Sequence, residues 1–170
     1  MTRYVALLRA VNVGGAGKLP MTELKAMCRA AGFADVETYV ASGNVVFTSD
    51  GRPCEVKLAL AARVQAFFGK PVGVLMRTAA EMQAVLEANP FAERPGNRTV
   101  AIFLDEAPPP DALAQAKGRA GEEMRLGERE IYVFYGDGMG TSKLRIPAAA
   151  QGSARNMNTV AALARMAAKA

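Results

Sequence analysis

Two stretches of this chain gather the residue types that bind anions. The first offers Arg9, Asn12, Gly14, Gly15 and Lys18. The second offers Ser142, Lys143, Arg155 and Asn156. Ser42 and Asn44, either side of a glycine, add polar groups in a turn. Glycine lets backbone N–H groups approach a ligand closely, and a helix starting just beyond adds a favourable dipole. Lysine supplies a point charge, and arginine can grip a phosphate through two parallel hydrogen bonds. Chain termini often lie close together, so the two stretches are expected to meet and form one anion site.

The distribution of charge points the same way. The chain of 170 residues carries 21 Lys and Arg against 16 Asp and Glu, a formal +5. Residues 1–22 hold three bases and no acid, and residues 138–170 hold five bases and no acid. The stretch between them is mildly acidic, at −3. All of the positive excess therefore sits at the two ends. There is no histidine, which removes His-based triads, His metal ligands and imidazole acid–base chemistry.

Other chemistry is narrower. Asp137, the last acid before the basic C-terminal stretch, and Lys143 are the proton-transfer candidates for an enzyme acting on a phosphorylated small molecule, the first alternative to simple binding. The second alternative is a homo-oligomeric interaction module with no ligand. "GGAGKLP" is not a phosphate loop, because Leu19 stands where Ser or Thr must follow the lysine. "DGMG" lacks the spacing and the downstream acid of a dinucleotide fingerprint. An RNA-recognition module would need stacking aromatics, and only Tyr4 and Phe47 are placed to serve. Nucleic acid could then be held only through its phosphates, without a base-stacking platform. Cys28 and Cys54 have no metal or CxxC spacing and are expected to be free thiols of a reducing cytoplasm. No apolar run approaches the ~20 residues of a membrane helix, and no export signal is read at the N-terminus. No cofactor and no oligomeric state is assigned from the residues.

The elements that must hold these groups follow from periodicity. "RYVALLR" reads as a buried strand. Leu24, Met27, Cys28 and Ala31 recur at helical spacing over Met21–Ala31, with Thr22 as a candidate cap and Gly32 as the stop. "DVETYVA" and "NVVFTS" read as a hairpin around Ser42-Gly43-Asn44. A helix is predicted over Cys54–Phe68 with Val56, Leu60, Val64 and Phe67 inward, then a strand in "PVGVLMR". Strand, helix, strand, strand, helix, strand is the split βαβ order of a ferredoxin-like unit, assigned to 1–77. The half from 78 to 170 begins with a capping box, Thr78 and Glu81, opening a helix to about Ala88. It continues with a strand "TVAIFL", a short helix from Asp111 to about Lys117, strands "EMRLG" and "EIYVFYG", and a loop through "DGMGTSKLRIPAAAQGSARNMN". A last helix runs from about Asn156 to Ala168, with Val160, Leu163, Ala164 and Ala167 inward. The expected class is α+β, one unit built from a ferredoxin-like first half and a less regular second half.

"LLRAVNVGGAGKLPM", "YVASGNVVF", "YGDGMGTSKL" and "ARNMNTVAALARMA", taken in order, resemble one family, the bacterial domain-of-unknown-function family 1697. Ala10 stands where the family's first motif has glycine, and Met157 where its last motif has tryptophan. The segment between Lys143 and Arg155 is short and lacks the Glu-Lys pair of many relatives. The resemblance implies an α+β fold with ferredoxin-like parts and no established reaction. Its motifs fall on the same basic, glycine-rich ends.

Overall fold

A computed structural model describes residues 1–9, 18–40, 43–136 and 139–169. The chain divides into two units, one of Met1–Met82 with Leu163–Ala170 and one of Gln83–Ala162. Unit 1 contains β1 (Thr2–Leu8), α1 (Met21–Ala30), β2 (Ala34–Thr38), β3 (Asn44–Ser49), α2 (Pro53–Phe68) and β4 (Val74–Thr78). Its four strands pair antiparallel in the order β2-β3-β1-β4, the ferredoxin-like arrangement expected from the element order.

Central strand β1 is apolar on both sides because both faces of the sheet are covered. Tyr4, Ala6 and Leu8 point into the core shared with α1 and α2, and Val5 and Leu7 are equally buried on the other face. Phe33 stacks on Phe47 at 4.3 Å between ring centroids, and Tyr4 lies 5.9 Å from Phe47. Tyr4 and Phe47 are thus core residues, not a surface for bases.

Helix α1 buries Leu24 and Cys28, and burial pushes the Cys28 thiol up to about 12. Thr22 does not cap it. Pro20 holds the cap position with extended backbone, and its carbonyl accepts the N–H groups of Glu23 and Leu24. Helix α2 opens with Glu55 accepting the Arg52 backbone N–H at 3.2 Å and stops at Gly69. Val56, Leu60 and Val64 face inward, but Phe67 is 43% exposed and Phe68 packs on the core instead. The inward stripe advances in steps of four, so position 68 follows 64 where a step of three had been expected.

Strand β4 leads into α3 (Ala79–Glu87) through the expected capping box. The Thr78 N–H donates to Glu81 at 2.8 Å, and the Glu81 N–H donates to the Thr78 hydroxyl at 3.2 Å.

Unit 2 contains β5 (Thr99–Phe103), β6 (Glu123–Leu126), β7 (Glu130–Phe134) and β8 (Ser153–Asn156), antiparallel in the order β6-β7-β5-β8. Val100, Ile102, Met124, Ile131 and Val133 form one apolar face, closed by Leu144 and Ile146. On the other face the Tyr132 hydroxyl donates to the Val85 carbonyl of α3 at 2.8 Å.

Two expectations fail here. Residues 110–115 are successive turns, not a helix. Most of the bonds close over three residues, from Ala112 to Pro109, Ala114 to Asp111 and Ala116 to Leu113, with one, Gln115 to Asp111, over four. Leu113 and Ala116 rest on the core, and Lys117 is then taken into backbone pairing with Arg145, which ends any helical continuation. The stretch 153–156 is a strand where a loop was read. Its polar sequence has little strand propensity, but it pairs along apolar β5 from Phe103 to Val100. Helix α4 (Met157–Ala168) follows at once, with Val160, Leu163, Ala164 and Ala167 buried as expected.

Candidate functional site

The end of β1 fixes Arg9. The Leu8 N–H donates to the Gly43 carbonyl at 2.9 Å on the β3 side, and the Arg9 N–H donates to the Gly73 carbonyl at 2.8 Å on the β4 side. The loops on either side of β1 are therefore tied to the same point. Gly73 has a steric reason. A Cβ there would lie 3.2 Å from the Arg9 Cβ and 3.4 Å from its Cδ, so the aliphatic stem of Arg9 runs across the glycine. Arg9 is half-buried, its aliphatic stem packed against the protein.

Asn44 shapes this end without presenting itself to a ligand. It is fully buried. Its amide donates to the Tyr39 carbonyl at 2.9 Å, and the Tyr39 N–H donates to the Asn44 carbonyl at 3.2 Å. That reciprocal pair closes the β2–β3 turn. Within it Val40 has φ of 46° and is 54% exposed. A β-branched residue in that region costs about 1–3 kcal/mol, so the turn stores strain beside the end of β1.

Lys18 stands nine positions further along the chain than Arg9. It is exposed, and its neighbour Leu19 is anchored in the unit 1 core two residues before α1 begins. Asn12, Gly14 and Gly15, between Arg9 and Lys18, lie outside the described residues, as do Ser42 and Asp137.

The second group of site residues lies in unit 2, where Ser142, Arg155 and Asn156 bond to other parts of the fold. Ser142 donates its hydroxyl proton to Glu122 at 2.5 Å and accepts the Leu144 N–H at 3.2 Å. Glu122 also accepts the Ala120 N–H at 2.5 Å. These bonds, the Ser142 hydroxyl foremost, hold the Glu122 carboxyl below its ordinary value of 4.5. A carboxyl whose folded value is depressed stabilises the fold above its unfolded value, and that contribution is lost as pH falls through the folded one. Glu122→Gln is therefore expected to lower the urea midpoint at pH 7, with the difference from the parent shrinking steadily below pH ~4.5. A difference independent of pH would contradict this.

Arg155 is buried on the β8 face, donates to the Ala154 carbonyl at 2.9 Å, and is pushed down to about 10 by desolvation. The Asn156 side chain accepts the Thr159 N–H at 2.9 Å and caps α4. Lys143 is exposed. Sequence reasoning missed Gly73 and Glu122, the partners of Arg9 and Ser142. The alternation Ser153, Arg155 along a strand was the available signal that Arg155 points inward.

Charge follows the units. Unit 1 has 12 Lys and Arg against six Asp and Glu, a formal +6; unit 2 has nine against ten, or −1. Arg165 and Lys169 of the basic C-terminal stretch belong to unit 1 with Arg9 and Lys18.

These features define a two-unit α+β protein with a ferredoxin-like first unit. The chain belongs to the family described as protein of unknown function DUF1697, whose model matches residues 1–132, as its motifs led us to expect. Its structure is similar to that of the conserved bacterial protein SP0830 from Streptococcus pneumoniae, with a TM-score of 0.81 and 25% identity over 99% of both chains. That likeness extends past the family match, through β8 and α4. No curated protein matches the chain. Among the described residues, no helix is long and apolar enough to cross a membrane, and no group of His, Cys, Asp or Glu could hold a metal ion.

Proposed function

We propose that this protein binds a phosphate-bearing or other anionic ligand on unit 1, at the end of the sheet where Arg9 is fixed. The observation that carries the reading is the anchoring of the Leu8–Arg9 segment, Leu8 to Gly43 and Arg9 to Gly73, with the Arg9 stem laid across Gly73. A side chain whose stem is already packed loses less entropy on gripping an oxyanion than a fully free one does. Lys18 supplies the second charge, and the sequence between the two holds Asn12, Gly14 and Gly15, residue types suited to anion donors. The formal +6 of unit 1 favours anions over cations at this unit. Ser142, Arg155 and Asn156 have structural partners in unit 2, so they are not needed in the ligand shell.

The test is thermal stability with inorganic pyrophosphate, a nucleoside monophosphate and a sugar phosphate. A ligand at a hundred times its Kd adds about 2.7 kcal/mol. At least one probe is expected to raise the Tm of the parent and of Lys143→Gln. The shift should be lost in a double Arg9→Gln, Lys18→Gln variant. Equal shifts in all three proteins, or none with any probe, would overturn the proposal.

A further inference from the structure

A cleft of 360 Å³ lies entirely within unit 2, between residues 89–94 and edge strand β6. The sequence builds it locally. The Asn89 side chain accepts the Phe91 N–H at 2.9 Å, and the Phe91 carbonyl accepts the Arg94 N–H at 2.9 Å, folding the segment into consecutive turns. Glu123 and Arg125 alternate along β6, opposite Phe134 and Tyr132 of β7. They therefore share the face on which Phe91 packs against Phe134.

The charges lining the cleft balance, but not all of them are paired with one another. Arg94 lies over the Phe134 ring at 4.6 Å and pairs with Glu123 at 3.1 Å. Arg125 reaches over the Phe91 ring at 6.0 Å and donates one bond to the Met124 carbonyl. Glu93 is exposed on the lining. Among the described residues neither Arg125 nor Glu93 has an ion-pair partner. The cleft thus offers one unpaired cation, one unpaired carboxylate and an apolar lining from Pro90, Phe91 and Ala92. A simple anion would gain Arg125 but face Glu93, and a simple cation would meet the reverse. A molecule carrying both charges satisfies both groups. The volume is at the small end for ligand clefts, roughly 300–1,000 Å³, which suits a molecule of amino-acid size.

We propose that this cleft binds a small zwitterion with an apolar body, an α-amino acid such as leucine, its carboxylate on Arg125 and its ammonium on Glu93. This site is independent of the anion site on unit 1. The experiment is an NMR titration of the full chain with L-leucine, with 4-methylpentanoate, which lacks the ammonium, and with 3-methylbutylamine, which lacks the carboxylate. Leucine should shift the amide signals of Phe91, Ala92 and Arg125, with the two analogues at least about tenfold weaker, the loss expected for one charge-assisted hydrogen bond. Arg125→Gln and Glu93→Gln, both at exposed positions, should each weaken leucine by a similar factor. Glu93→Gln should also close the gap between leucine and 4-methylpentanoate. Absence of shifts at millimolar leucine, equal binding of 4-methylpentanoate by the parent, or unchanged affinity in either variant would overturn the proposal.

Discussion

Gly118→Ala is expected to destabilise unit 2 by about 3 kcal/mol, whereas Gly69→Ala costs only about 1 kcal/mol. The two glycines have nearly the same backbone, φ of 72° and 73°, so the strain of an L side chain there is common to both. Their surroundings differ. A Cβ at Gly69 meets nothing within 4 Å, but one at Gly118 would overlap the Lys143 backbone carbonyl. That carbonyl cannot easily retreat. The adjacent residues Lys117 and Arg145 exchange both backbone hydrogen bonds, at 2.8 and 2.7 Å, pinning the two segments together. Relieving the overlap means breaking that bridge and lifting Leu144 and Ile146 from the core. Urea unfolding of the two variants gives the comparison directly. Equal losses would show that the backbone strain alone matters and that the segment around Lys143 is free to move.

Phe47→Ala is expected to cost about 4 kcal/mol, and Phe67→Ala less than about 1 kcal/mol. Phe47 is fully buried between Phe33 and Tyr4 at the centre of unit 1, and its loss leaves a cavity that strands β1 and β3 cannot close. Phe67 stands 43% exposed and touches Phe68 edge-on. The Tm should fall by about 4–8 °C per kcal/mol for a unit of this size. A Phe47→Ala protein as stable as the parent would contradict the placement of Phe47 in the core.

Phe47 also shows what the sequence made legible. The apolar run beside a turn placed β3 at its observed bounds, and helical spacing placed α1 and α4 to within a residue, because each helix buries one face and its periodicity records it. Thr78 and Glu81 announced α3 because a capping box is a local device. What was not legible depends on distant partners. Strand β8 exists because β5 offers an edge, and nothing in "SARN" states that. The short helix over 111–117 gave way to turns because Lys117 pairs with Arg145, 28 positions on. In the site, residue types marked Arg9 and Lys18 as charge suppliers. They could not show that Arg9 is held by Gly73, or that Ser142 serves Glu122 and Asn156 serves α4. A side chain's chemistry is written at its own position, and whether that chemistry is already occupied is written elsewhere in the chain.

The most direct test of anion binding on unit 1 is an amide-resolved NMR titration of the full chain with inorganic pyrophosphate at low ionic strength, repeated at high salt. The account predicts saturable shifts at Arg9, Lys18, Leu19, Gly43 and Gly73, weakened by salt as exposed charges are screened. Shifts confined to Lys117, Arg119, Lys143 and their neighbours in unit 2, or no saturable shifts at all, would contradict it.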